Sequence, residues 1–219
     1  IQAGEFVSTH QGIAFNNKGV LIDGQHRLLA CIKADLPITV LVTRGLPESA
    51  WSALDQGVRR TYSDILEVPK PVADVLGRAH RLTIGGRAKP SDMQKLNASR
   101  IGDVAMELYT FRPGHQKVFT SAAVRLAAVL SILQGQDRDF VFDQFLILSS
   151  GDFDRMNSIT RVFYKMAANG SINPVHLHDT VGRAMYIFDK RNAKAQRFPT
   201  TVVEKYLESA IQTIRNEME

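Results

Sequence analysis

One cysteine, Cys31, is present in 219 residues. That scarcity excludes an internal disulfide and any multi-cysteine zinc site, and it points to a reducing, cytoplasmic compartment. Long apolar runs are absent as well. The longest, Ala122 to Leu133, is interrupted by Arg125 and Ser131 and falls well short of a membrane span. No signal-peptide pattern is visible, although the chain opens on Ile1 and not on Met, as a processed or trimmed product would. There is no internal repeat and no low-complexity tract. There is also no P-loop, because Gly85-Gly86 lacks the Lys-Ser/Thr that completes such a loop. What is present, 44% hydrophobic and 22% charged residues, is the composition of an ordinary soluble globular protein with one large or two small domains.

The net charge of +5 is unevenly placed. Residues 1–67 hold six basic and seven acidic side chains, so all of the excess lies downstream. Between Lys70 and Arg100 stand Lys70, Arg78, Arg81, Arg87, Lys89, Lys95 and Arg100, against only Asp74 and Asp92. A second cluster follows at Arg183, Lys190, Arg191, Lys194 and Arg197. Stripes of this kind suit a polyanion such as DNA, with Arg78, Arg81, Arg87 and Lys89 as candidate contacts; a solvated helix face is the plainer alternative.

Strand and helix signals alternate in the first third. Gly12-Ile13-Ala14-Phe15 and Val20-Leu21-Ile22 flank the hairpin-like turn Asn16-Asn17-Lys18-Gly19. A helix is predicted from about Gln25 to Ala34, then a strand Ile38–Val42 ended by Gly45. Pro47-Glu48 begins a short helix, Asp55-Gln56-Gly57 breaks it, and Arg59 to Val68 reads as another. After Pro69 and Pro71 the strand signals stop. Helical periodicity runs at about 72–84, 92–111, 119–134, 137–148, 156–168, 175–191 and 201–218, with capping boxes expected at Ser91/Gln94 and Thr201/Glu204. The loops Gly85 to Pro90 and Arg112 to His115 separate helices. The expected class is α+β: a small α/β domain at 1–68, then a basic, all-helical domain at 69–219.

The densest chemistry is Asp23-Gly24-Gln25-His26-Arg27, where a β-branched strand passes into a helix. A strand-to-helix turn leaves the first helical N–H groups unpaired at the positive end of the dipole, which favours a phosphate. Leu28, Leu29, Ile32 and Leu36 share one face, predicted to pack on the sheet, with Gln25 towards the buried side. His26 and Arg27 fall off that face on opposite sides. His26 either caps the turn or contacts phosphate and moves a proton. Arg27 either grips an anion or pairs with Asp23 or Glu48. Asp23 is a metal ligand, a base or simply the helix N-cap. A second constellation runs Asp55-Gln56-Gly57-Val58-Arg59-Arg60-Thr61, in which Gly57 allows a turn that brings Arg59 or Arg60, Arg60 being the choice, beside a carboxylate or phosphate; alternatively Asp55 and Arg60 simply pin the loop to the domain.

Several other features read as structural. Cys31 is expected to be an inert buried thiol. Phe140, Phe142, Phe145, Leu146 and Leu148 look like core, and Trp51 is expected against the sheet. His176-Leu177-His178-Asp179 puts residues two apart in different directions and lacks an evident third metal ligand.

Ile13-Ala14-Phe15, Gly19-Val20-Leu21-Ile22-Asp23-Gly24-Gln25-His26-Arg27-Leu28, Val42-Thr43-Arg44-Gly45-Leu46 and Leu54-Asp55-Gln56-Gly57-Val58-Arg59-Arg60-Thr61-Tyr62-Ser63-Asp64-Ile65-Leu66 together resemble the ParB/sulfiredoxin superfamily. The likeness is to its phage and prophage branch with a DGQHR box, and it covers about residues 12–68. The resemblance implies a nucleotide triphosphate, ATP or another, with Mg²⁺, bound at this box. Gly24, His26 and Arg27 match the phosphate-binding residues, with Gln25 and Arg60 beside them. Some phage members are kinases of hydroxymethyluracil in DNA; ParB proteins hydrolyse CTP, and another DGQHR group regulates DNA phosphorothioation. The reactive cysteine of sulfiredoxin falls at Gln25, so sulfinate repair is not expected. No ParB-like helix-turn-helix is evident downstream. The expected activity is therefore an ATP-dependent DNA kinase with Asp23, His26, Arg27 and Asp55 as catalytic candidates. The rival expectations are a nucleotide-binding DNA-binding regulator that transfers nothing, and a scaffold whose helices bind protein.

Overall fold

The computed structural model describes residues 7, 11–47, 49–50, 61–111, 118–170 and 176–219. It divides into two compact units, Ile1–Arg59 and Arg60–Glu219. The class is α+β: a small three-stranded mixed sheet with one helix, then a mostly helical region.

In the first unit, β1 (Ile13–Asn16) lies between β2 (Leu21–Asp23) and β3 (Val42–Leu46). β1 pairs antiparallel with β2 and parallel with β3. The β1–β2 turn closes as the sequence predicts. Buried Asn16 accepts the Lys18 and Val20 backbone N–H groups at 2.9 and 2.8 Å through its side-chain oxygen, which satisfies the polar group inside the sheet. Helix α1 (Gln25–Ala34) then makes the crossover that a parallel β1–β3 pair requires. It ends on Asp35 in the left-handed conformation, where the Leu36 N–H closes on the Cys31 carbonyl in a Schellman-type cap.

The third strand differs from expectation. Its ladder starts at Val42, not Ile38; just before it the Leu41 carbonyl accepts the Ile13 N–H at 2.8 Å. A Cβ on Gly12 would lie 1.8 Å from that same oxygen, so glycine is required there. Gly45, with φ +79°, does not end the strand. It sits in a bulge where Ala14 to Asn16 on β1 is matched by Thr43 to Leu46 on β3.

Helix α1 is also turned from the orientation its hydrophobic pattern predicts. Leu29 and Ile32 are 61% and 76% exposed, Leu36 is exposed, and no residue of the helix is fully buried. The inner face is Arg27, Leu28, Cys31 and Ala34, all half-buried, so Cys31 is not the buried thiol expected. The shift is about one residue position, roughly 100°. The inward-turned face is the one on which Arg27 reaches the segment entering β1.

The second unit contains α2 (Tyr62–Leu66), α3 (Lys70–Thr83), α4 (Pro90–Ala98), α5 (Arg100–Thr110), α6 (Ala122–Leu133), α7 (Arg138–Ser150), α8 (Ser158–Ala168), α9 (Leu177–Ile187) and α10 (Thr200–Met218). Helix α6 is apolar nearly all round and is the buried centre, packed against α3, α5, α7, α9 and α10. Phe142, Phe145 and Leu148 are core, as expected. The single helix predicted at 92–111 is two. Extended Ser99 accepts the Ile101 N–H and donates to the Leu96 carbonyl, and Gly102 lets the corner close against Asn97. The stretch predicted at 175–191 likewise stops at Ile187, where buried Asp189 caps a short 3₁₀ turn at Lys190–Asn192. Neither expected capping box forms. Ser91 and Thr201 lie inside first turns that begin at Pro90 and Thr200, and Asp92 reaches the Lys89 N–H instead. Thr61 and Asp64 do form a capping box, at the start of α2.

Candidate functional site

At the strand-to-helix turn the N-cap is Gly24, not Asp23. Gly24 has φ +92° and ψ 7°, and a Cβ there would meet the Ile13 side chain at 2.8 Å. The left-handed turn and the contact with β1 both require glycine. Asp23 accepts the Gly24 N–H on Oδ1 at 2.7 Å. No side chain caps α1, and its first turn carries no acidic residue. Arg27 and Leu28 N–H groups close on the Gly24 carbonyl, so the Gln25 and His26 amides have no hydrogen-bond partner among the described residues. Two free N–H groups thus stand at the helix start next to an exposed imidazole, an arrangement that can accept an anion.

Arg27 takes a path the sequence does not foresee. Its Nη1 donates to the Gly12 carbonyl at 2.8 Å, and Nη2 lies 3.5 Å from the Gln11 side-chain oxygen. The guanidinium thus ties α1 to the segment entering β1, and it forms no ion pair with Asp23. Gln25 is exposed, contrary to the buried position expected for it. Arg44 lies over the Phe15 ring, 4.6 Å from its centroid. The structure brings Asp23, Gly24, Gln25 and His26 together at one turn. Asp55 and Arg60 lie outside the described residues, as do Glu48 and Trp51.

For Mg²⁺, the donor set is thin. Among the described residues there is no group of three His, Cys, Asp or Glu side chains that could hold a metal. Magnesium bound through a nucleotide needs only one or two protein carboxylates, and Asp23 fits that lesser requirement, since its Oδ2 carries no hydrogen bond.

The helical unit holds a second constellation, which sequence reasoning found only in part. Arg78, Arg81 and Arg87 line one cavity of about 650 Å³, together with Lys70, Asp74, Gly77 and Tyr62. Lys89 is exposed but does not line it; its backbone starts α4. None of Lys70, Arg78, Arg81 and Arg87 forms an ion pair or side-chain hydrogen bond among the described residues. Of the second basic cluster, Arg191 is committed to Asp189 and Arg183 to Asp179.

A third polar centre is structural. Asp189 is held by Arg191 and by the Tyr206 hydroxyl, which donates at 2.6 Å, while Asn192 donates to the Tyr206 oxygen. Burial pushes the Asp189 carboxyl up, but the hydrogen bonds from Arg191 and Tyr206 outweigh it and hold the group down at about 2. Burial and the neighbouring carboxylate push the Tyr206 hydroxyl up to about 12. Sequence offered no signal for this trio beyond a basic cluster. No helix among the described residues is long and apolar enough to cross a membrane. No family model, curated protein or solved structure matches the chain.

Proposed function

We propose that this chain is a nucleotide-dependent phosphotransferase acting on DNA, most like a kinase of hydroxymethyluracil bases in phage DNA hypermodification. The observation that carries the reading is the Gly24 turn: two unpaired amide N–H groups of α1 beside an exposed His26, with no acidic residue in the first turn of the helix and the Asp23 carboxylate at the strand end. The resemblance of the DGQHR stretch to the ParB/sulfiredoxin superfamily supplies the nucleotide.

Phosphoryl transfer needs positioning and stabilisation of charge on the moving group more than covalent help. The Gln25 and His26 N–H groups would receive the phosphate oxygens. The acceptor hydroxyl attacks the γ-phosphorus, the bond to the β-phosphate oxygen breaks, and a nucleoside diphosphate leaves. The hydroxyl proton passes to His26 or Asp23. Mg²⁺ would be held by Asp23 and the phosphates, and it supplies charge neutralisation when bound. Asp55 and Arg60 remain proposed contributors, and the basic helical unit would hold the DNA.

One observation favours a second reading, a nucleotide-binding DNA-binding or regulatory protein that transfers nothing. The Arg27 Nη1 is spent on Gly12, which commits one donor of the guanidinium to the fold and leaves fewer N–H groups for a transferring phosphoryl group. Incubation with γ-labelled ATP, Mg²⁺ and hydroxymethyluracil DNA separates the two. Label in the DNA, lost in His26→Ala, is the expected result; nucleotide binding without any label overturns the kinase reading.

A further inference from the structure

Helix α3 presents two faces. Val72, Val75, Leu76, Ala79 and Leu82 are buried in the core. Lys70, Asp74, Gly77, Arg78 and Arg81 recur at helical spacing on the other side and line the cavity of about 650 Å³. The opposite wall is the loop at residues 86–88, which brings in Arg87. That wall is pinned: the Tyr62 hydroxyl donates to the Ala88 carbonyl at 2.5 Å, and left-handed Gly85 and Gly86 turn the loop back. The floor at Gly77 is bare, since a Cβ there would meet nothing within 4 Å.

Four cations against one carboxylate, none of the four paired, make this concavity an anion site. Half-buried Arg125 acts electrostatically on Asp74 from α6, so the single negative group is itself partly offset. Three guanidinium groups match phosphate oxygens by two-point hydrogen bonding. Asp74 can accept from the exocyclic amine of a base, as carboxylates do with cytosine. The volume falls in the range of small-ligand pockets, about 300–1,000 Å³.

We propose that this cavity binds one nucleotide unit, phosphate and base together, either within a single strand or as a free mononucleotide. The inference rests on the reading that the helical unit handles nucleic acid, and it names where and in what form.

The test measures anisotropy of a labelled dC 12-mer with the full chain, without ATP, across a salt series. Arg78→Gln and Arg87→Gln should each weaken binding at least fivefold and lower the log–log salt slope by about 0.7, the single-strand value per phosphate. Gly77→Phe fills the cavity and removes no charge, so it should weaken binding comparably; circular dichroism verifies its fold. Displacement of the oligomer by CMP identifies the free nucleotide as occupant, and failure of CMP to compete identifies the strand. Unchanged binding in Gly77→Phe, or duplex bound as tightly as single strand, overturns the pocket in favour of a surface patch. Because ATP is absent, failure here does not decide the transfer reading, which the labelling assay tests alone.

Discussion

Arg27 donates to the carbonyl of Gly12, fifteen residues earlier, at 2.8 Å, and that bond ties α1 to the segment entering β1. The best-charged side chain of the DGQHR stretch is therefore a tie within its own unit. Arg27→Ala should cost about 1.5–2 kcal/mol, the lower part of the range for bonds to charged groups. Arg27→Lys should recover some of it. Hydrogen exchange of the β1 amides measures the loss; unchanged protection in Arg27→Ala would show that the tie contributes nothing.

Gly24 has a second constraint that Gly19 lacks. Both have positive φ, but only at Gly24 would a Cβ strike β1, at the Ile13 side chain. Gly24→Ala is expected to lose about 1–3 kcal/mol from backbone conformation alone, plus the clash. Gly19→Ala should lose the conformational part only. Urea unfolding of the two variants gives the difference directly.

Nucleotide binding at the α1 start should raise the melting temperature by mass action. A ligand at a hundred times its Kd adds about 2.7 kcal/mol. A scan of ATP, GTP and CTP with Mg²⁺ should show one clear responder, and His26→Ala should reduce its shift. A flat response to every nucleotide would remove the case for a triphosphate at this turn.

Asp189 links stability to acid. Its folded pKa, about 2, lies below the ordinary carboxylate value of 3.8. The unfolded chain therefore binds the proton more readily. The stabilisation is present above the unfolded value and is lost as pH falls through roughly 4 to 2. Asp189→Asn should flatten this part of the pH–stability curve, and Tyr206→Phe should reduce it. Tyr206 moves the other way: raised to about 12, its contribution is full below pH 10 and lost as pH climbs towards 12. Ultraviolet titration of the tyrosines against Tyr206→Phe would detect that late ionisation.

Legibility varied by element. The β1–β2 turn was readable because Asn16 and Gly19 carry local chemistry that needs no distant partner. Helix α6 was readable as a helix from periodicity at about 119–134, while its place at the centre is seen only in its packing against five other helices. The break between α4 and α5 was not, since Ser99 inside a periodic run reads equally as a helix surface residue until Gly102 is seen against Asn97.

The order of strands and helices, the change from mixed to helical at the prolines, and the placing of Gly24 at a strand-to-helix turn are properties of local sequence. Turn geometry and periodicity are short-range, so they survive without knowledge of neighbours. Which way α1 faces, where β3 starts, and which arginines share a cavity were decided only by tertiary contacts. A hydrogen bond across fifteen residues, a carbonyl pressed against Gly12, and a loop pinned by Tyr62 each join parts of the chain whose separation no local pattern encodes.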